Sequence, residues 1–286
     1  MIFNKAKEMF IENCKVLERS PSTISQYDKY LTGLEKLLSC KYNRPVYVEE
    51  VKAGDLEQFI FKEYNLSEYS TSVQHSVITA FKSMYSYLAR KNICENTGKM
   101  IKNIKVETAE RATVSEIELR KLMQHIKAST ARAVIYTLYY AGLRINEAIN
   151  LKLEDVDLEK DELHVKETKT GEDRTVPINA RLKKVLEDYL SDGRIDYRTD
   201  YFFSNYPKGR VSAQGINKQL RNAKAKAGIN KDITAHSMRH SFASNLVQRN
   251  VDIVTLRNLL GHKSIRTTSI YCHTSLEELE EAINVL

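Results

Sequence analysis

The sequence lacks paired cysteines, any apolar run long enough to cross a bilayer, and any nucleotide-cradling loop; each absence removes a class of protein. Its four cysteines, Cys14, Cys40, Cys94 and Cys272, are scattered over 286 residues with no C-x-x-C or Cys/His ligand spacing. Neither a disulfide scaffold nor a metal site is expected, and the thiols read as free and reduced. No stretch approaches the ~18 apolar residues that would suggest a membrane span. The opening MIFNKAKEMFIENCK sets charges among its apolar positions, unlike a secretory segment. The expected location is cytoplasmic, with no membrane partner. No G-x-x-x-x-G-K-[ST] loop is present, so no nucleotide cofactor is expected. Internal repeats and low-complexity tracts are also missing.

What remains is the profile of a soluble folded protein, with 42% hydrophobic and 28% charged residues in a chain long enough for two domains. A formal charge of +7 favours a polyanionic partner. Residues 1–106 carry 16 Lys and Arg against 12 Asp and Glu, and the remainder 28 against 25. Neither half alone is the basic one, so both are expected to touch such a partner.

Residues 1–95 read as helical. Ile24, Tyr27, Leu31, Leu34, Leu37 and Leu38 follow a period near 3.6, and so do Val73, Val77, Ile78, Phe81, Met84, Tyr85 and Leu88. Asp55 is expected to cap a shorter helix, Leu56 to Tyr64. The polar, basic stretch 96–111 loses periodicity and reads as a partly extended linker. Ser115 and Glu118 form an S-x-x-E capping box, after which helical patterning runs to Tyr140. ELHVKETKTGEDRTVPI, 162–178, is the one clear β segment, with two alternating runs around a Lys-Thr-Gly-Glu-Asp turn. Helices resume after about Ser212 and run to the end. The fold class is mainly α: a helical amino-terminal domain, then a larger helical domain, 112–286, with a small antiparallel β-sheet.

Against this background a few polar residues stand out. Arg144 follows Gly142 in AGLRINEAINL, and Lys169 sits at the hairpin tip. His236 and Arg239 are spaced i, i+3, which puts both on one face of a helical turn. Gly261 ends a helical run and is expected to expose His262 beyond it. Tyr271 follows nine residues later. Taken singly each is unremarkable: a salt-bridge arginine, a solvated lysine, a capping histidine, a core tyrosine. Their order along the chain carries the meaning.

That order, Arg, Lys, His-x-x-Arg, Gly-His, Tyr, resembles the tyrosine recombinases, or phage-type integrases, including the Xer recombinases. AGLRINEAINL is similar to the block holding the family's first catalytic arginine. ETKTGEDRTVPI is similar to the hairpin that delivers its lysine. HSMRHSFASNLVQRNVDIVTLRNLLGHKSIRTTSIYCH is similar to the block that runs to its nucleophilic tyrosine. The resemblance implies catalytic roles for Arg144, Lys169, His236, Arg239, His262 and Tyr271, with Glu147 supporting them. It implies that residues 1–95 form a core-binding (SAM-like) DNA-binding domain. Asn146, where the family often has Ser, and Cys272, where it often has Thr, depart from the pattern without removing a catalytic group.

The chemistry agrees with the resemblance. Charge building on a pentacoordinate phosphorus calls for fixed donors, and two guanidiniums supply them at any working pH. A tyrosine whose ordinary pKa is about 10 needs a positive field and a base to lose its proton. His236 is the candidate base, His262 a third donor, and Lys169 the acid for the departing 5′ oxygen. No metal and no other cofactor is called for. The implied partners are double-stranded DNA with specific recombination sites and further copies of the chain. They would form a homotetramer on two duplexes, alone or with a paralogous recombinase. Two other readings stay open: a type IB topoisomerase, and a regulator that binds DNA without cutting it. Chromosome-dimer resolution, integration, excision and cointegrate resolution share one active site and are not separable here.

Two features lie beside the catalytic set. Lys218, Arg221 and Lys224 form a basic helical stripe suited to phosphate contact. After Tyr271, Ser275 and Glu278 form another capping box, and Leu276, Leu279, Ala282, Ile283 and Leu286 an apolar stripe. The resemblance implies that this last helix docks into a neighbouring subunit.

Overall fold

The computed structural model describes residues 1–65, 67–104, 112–166, 173–195, 198–204, 209–262 and 268. The chain divides into two compact units, Met1–Ala109 and Glu110–Leu286.

Among its described residues the first unit has four α-helices: α1 (Phe3–Val16), α2 (Pro21–Tyr42), α3 (Ala53–Glu63) and α4 (Thr71–Arg90). Ser20 caps α2 by accepting from the Thr23 N–H, Pro21 opens the helix where no donor is needed, and Asn43 ends it in the left-handed region. Helix α3 begins at Ala53, three residues earlier than the pattern suggests. Asp55 does not stand in front of the helix; it sits inside the first turn and reaches back to the Lys52 N–H. Phe3, Leu31, Leu34, Leu38, Leu56, Phe59, Phe81, Met84 and Leu88 fill the centre. Lys7 ties α1 to α2 through Thr32 and Glu35.

Part of the expected linker belongs to this unit. Thr97–Met100 forms a 3-10 turn against α4, and a Cβ on Gly98 would lie 2.9 Å from the Lys82 Cα. Ile101 is buried there as well. Residues 105–111 lie outside the described residues.

In the same core the Tyr85 hydroxyl is buried with no hydrogen-bond partner among the described residues, and burial pushes its pKa well up. An unpaired buried hydroxyl is a standing penalty. Tyr85→Phe should therefore raise stability by about 1 kcal/mol. A lower melting temperature in thermal denaturation would refute that.

The second unit contains α5 (Glu116–Gln124), α6 (Ser129–Ala141), α7 (Ile145–Asn150), β1 (Val156–Asp157), β2 (Glu162–Val165), β3 (Arg174–Pro177), α8 (Ala180–Asp188), α9 (Ala213–Lys226), α10 (Ala235–Val247) and α11 (Ile253–Leu260). The Ser115–Glu118 capping box is present and opens α5. The helical run expected to reach Tyr140 is instead two helices. The step from Ile126 to Ala131 is five residues, which would turn a continuous helix about 140° away from the core. Helix α6 is buried at Ala133, Val134, Ile135, Leu138 and Ala141 and is packed by α7, α8, α9 and α10. The sheet is antiparallel in the order β1-β2-β3, with Leu163 opposite Val176 and Val165 opposite Arg174. Strand β1, of two residues, is too short to leave a periodic signal. The turn of the β2–β3 hairpin, 167–172, lies outside the described residues. Helix α8, capped by Asn179, stands before the point near Ser212 where helices were expected to resume, although Leu182, Val185, Leu186 and Tyr189 keep helical spacing.

No described helix is long and apolar enough to cross a membrane.

Candidate active site: three arginines around one carboxylate

Four elements of the second unit converge on Glu147. Gly142 ends α6 in the left-handed region, and a Cβ there would lie 2.2 Å from the Phe242 ring, so both backbone and packing exclude a side chain. The chain then turns through buried Leu143, and Arg144 becomes the first flanking residue of α7. One turn in, Glu147 folds its carboxylate back and accepts the Arg144 N–H at 2.7 Å.

The same carboxylate holds three guanidiniums. Arg144 Nη1 donates to Oε1 at 2.6 Å. Arg174, on β3, donates from Nη2 to Oε2 at 2.8 Å and from Nη1 to Oε1 at 3.2 Å. Arg239, on α10, places Nη1 3.6 Å from Oε2. Glu147 is only 6% exposed. Burial alone would raise its pKa, but the bonds and charge of Arg174, the Arg144 N–H and the Arg239 charge reverse this and lower it. Three cations to one anion leave the cluster positive, as an anion-binding site requires.

The arginines also grip the end of α11. The last carbonyls of a helix have no intrahelical donor. Here Leu259 O accepts from Arg174 Nε at 3.0 Å, Leu260 O from Arg239 Nη2 at 2.6 Å, and Gly261 O from Arg144 Nη2 at 3.2 Å. Cations at a helix carboxyl end are further favoured by its dipole. Arg239 reaches the end of α6 too, donating from Nη1 to Gly142 O at 2.8 Å.

Gly261 closes α11 with φ +63°, and a Cβ there would stand 2.8 Å from Arg174 Nη1. The next residue, His262, is not thrown out into solvent as expected but is half-buried. Its Nε2 lies 3.0 Å from Arg239 Nη2 and its Nδ1 3.0 Å from Thr268 Oγ1. A guanidinium only donates, so Nε2 is the acceptor and the ring proton sits on Nδ1, pointing at Thr268. Burial first, then the charges of Arg239, Arg144 and Arg174, lower the His262 pKa to about 4.

The remaining expected residues fall as follows. His236 lies in the first turn of α10 and is exposed, while Arg239, one turn on, is 2% exposed. The i, i+3 pair thus has one member at the surface and one inside. Arg144, with 38% of its side chain exposed, is the guanidinium of the three that meets solvent. Lys169, Tyr271, Cys272 and the apolar stripe from Leu276 to Leu286 lie outside the described residues. Lys218 and Arg221 are exposed and Lys224 partly so, along α9, whose buried residues are Ile216, Leu220 and Ala223. Among the described residues no three His, Cys, Asp or Glu side chains are grouped as a metal would need. Sequence reasoning missed Arg174; its one signal was a lone arginine at the foot of the second β run.

By geometry this is a fixed, positively charged cluster in a mainly helical unit. Residues 112–278 match the model of the phage integrase family. Over 279 residues the chain is 30% identical to tyrosine recombinase XerA of Pyrococcus horikoshii, covering 96% of this chain and 91% of that protein. The crystal structure of a XerH site-specific recombinase bound to its difH substrate is 25% identical, covers 97% of this chain and 84% of that one, and superposes with a TM-score of 0.73. A lambda integrase dimer bound to a core site has the same fold at 15% identity, with a TM-score of 0.78 over 95% of this chain and 77% of that one. The chain belongs to the phage integrase family, the tyrosine recombinases.

The His262 environment has a thermodynamic consequence. An imidazole held neutral in the fold titrates near 6.5 when unfolded and near 4 when folded. Between those values the unfolded chain binds more protons, so this contribution is whole above about pH 6.5 and is lost as pH falls toward 4. His262→Gln should flatten the acid side of the stability profile over that window. Urea midpoints against pH that fall equally steeply in both proteins would contradict the assignment.

Proposed function

We propose that this chain is a site-specific recombinase that cleaves and rejoins double-stranded DNA with Tyr271 as nucleophile. The Tyr271 oxygen attacks a phosphodiester, the P–O5′ bond breaks, and a 3′-phosphotyrosyl link and a free 5′-hydroxyl result. The phenolic proton passes to His236 and the departing oxygen takes one from Lys169. A 5′-hydroxyl from another strand then attacks the phosphotyrosine and reseals the backbone, so no external energy source enters the balance. Two such exchanges pass through a Holliday junction, with four copies of the chain on two duplexes. In this scheme the first unit is the core-binding DNA-binding domain, the second is catalytic, and the α9 stripe meets phosphates. The helix expected after Tyr271 docks on a neighbouring copy.

The observation that carries this reading is the Glu147 cluster. It gathers Arg144, Arg239 and His262 from α7, α10 and the end of α11 into one positive site. Phosphoryl transfer needs positioned positive charge more than covalent chemistry from the protein. Arg144, partly exposed, would make the principal phosphate contact, with Arg239 enclosed behind it. His262 Nε2 accepts from Arg239 in this state, so it would act on phosphate only after that bond opens and the ring proton moves.

Tyr271→Phe should abolish covalent adduct formation on a nicked suicide duplex while half-site affinity stays within a few-fold, since one oxygen is lost. An adduct formed by the Phe variant would remove Tyr271 from the nucleophile role. Lys169→Ala should slow cleavage strongly on an ordinary duplex but much less on one with a 5′-bridging phosphorothiolate, because a thiolate leaves unprotonated. Equal defects on both substrates would show that Lys169 is not the acid.

A further inference from the structure

Arg174 is the one guanidinium of the cluster with no part in the scheme above. Its side chain is 9% exposed, against 38% for Arg144. Its guanidinium nonetheless bonds both Glu147 oxygens through two nitrogens, while its third nitrogen, Nε, donates to Leu259 O. A planar fork of this kind orients its partner as well as neutralising it.

We propose that Arg174 is a positioning residue for strand cleavage: it fixes the Glu147 carboxylate that aims Arg144, and the carboxyl end of α11 that carries His262. Three features converge on this. Glu147 Oε1 is shared by Arg144 and Arg174, so the rotamer of the carboxylate that receives Arg144 is set from the far side by Arg174. Leu259, Leu260 and Gly261 offer their carbonyls to Arg174, Arg239 and Arg144 in turn, so one helix end is indexed against all three arginines. Gly261 leaves the space that the Arg174 guanidinium occupies, since a Cβ would stand 2.8 Å from Nη1. A lone structural salt bridge accounts for the first of these and not for the other two.

The inference rests on the assignment of strand cleavage to Tyr271 and deepens it. Arg174→Ala, Arg174→Lys, Lys169→Ala, Tyr271→Phe and the unaltered protein are compared on ordinary and 5′-bridging phosphorothiolate suicide duplexes, with half-site affinity and melting temperature measured on each. Arg174→Ala is expected to bind a half-site within about threefold and to form adduct about 10- to 100-fold more slowly, the loss that misplaced catalytic groups bring. The defect is expected on both substrates, because Arg174 acts through charge-stabilising groups and not through protonation of the leaving oxygen. Added methylguanidinium should restore part of the rate of Arg174→Ala. Should that variant fold poorly, Arg174→Lys keeps the charge; it should melt near the unaltered protein and still cleave several-fold more slowly, since one ammonium does not span Glu147 and Leu259 O. Wild-type rates in Arg174→Lys, or a defect that the phosphorothiolate removes as it does for Lys169→Ala, would overturn the proposal. An adduct in Tyr271→Phe would instead overturn the nucleophile assignment on which it rests.

Discussion

Among the described residues, the cluster of Arg144, Arg174, Arg239 and His262 depends on one buried carboxylate shared by three guanidiniums. Breaking a buried ion pair from one side costs about 3–5 kcal/mol, because the partner is left uncompensated. Here the loss of Glu147 would leave three cations facing one another. The cluster is thus held by mutual necessity: Glu147 stays ionised because arginines surround it, and the arginines stay close because Glu147 lies between them. Such a site is rigid only if its backbone is, and the two left-handed glycines at the ends of α6 and α11 supply the turns that bring Arg144 and His262 to it.

The arrangement separates two tasks that a single arginine would combine. Exposure grades the cluster from Arg144 at the surface to Arg239 and Arg174 inside. All three also donate to backbone carbonyls, Arg144 to Gly261 O, Arg174 to Leu259 O and Arg239 to Leu260 O and Gly142 O. Preorganisation of this kind means that little of the binding energy is spent on ordering side chains when substrate arrives.

Much of this was legible from residues alone, and unevenly so. The Ser115 capping box, the α2 and α4 stripes and the antiparallel pairing of β2 with β3 follow from local chemistry that tertiary contacts do not override. The break between α5 and α6 lay in a slip of phase that propensity hides, since His125 to Ala128 are all acceptable in a helix. Arg144, Glu147, Arg239 and His262 were found through their order along the chain, and the structure brings all four together. Arg174 was not, because an arginine opening a short strand looks like any solvated side chain until α7 and α11 fold over it. His262 was expected to face outward from its glycine; the pull of Arg239 and Thr268 on its two nitrogens turned it in.

The hold on α11 has an evolutionary side. The three arginines read carbonyl oxygens, and a carbonyl is the same whatever side chain its residue bears. At Leu259, half-buried and bonded through its backbone, the side chain is therefore at liberty to drift among helix-compatible residues without loosening the grip. The arginines and Gly261 have no such latitude. Selection should accordingly see this helix end as an invariant shape written in variable letters, with the fixed characters lying up to 117 positions away in the chain.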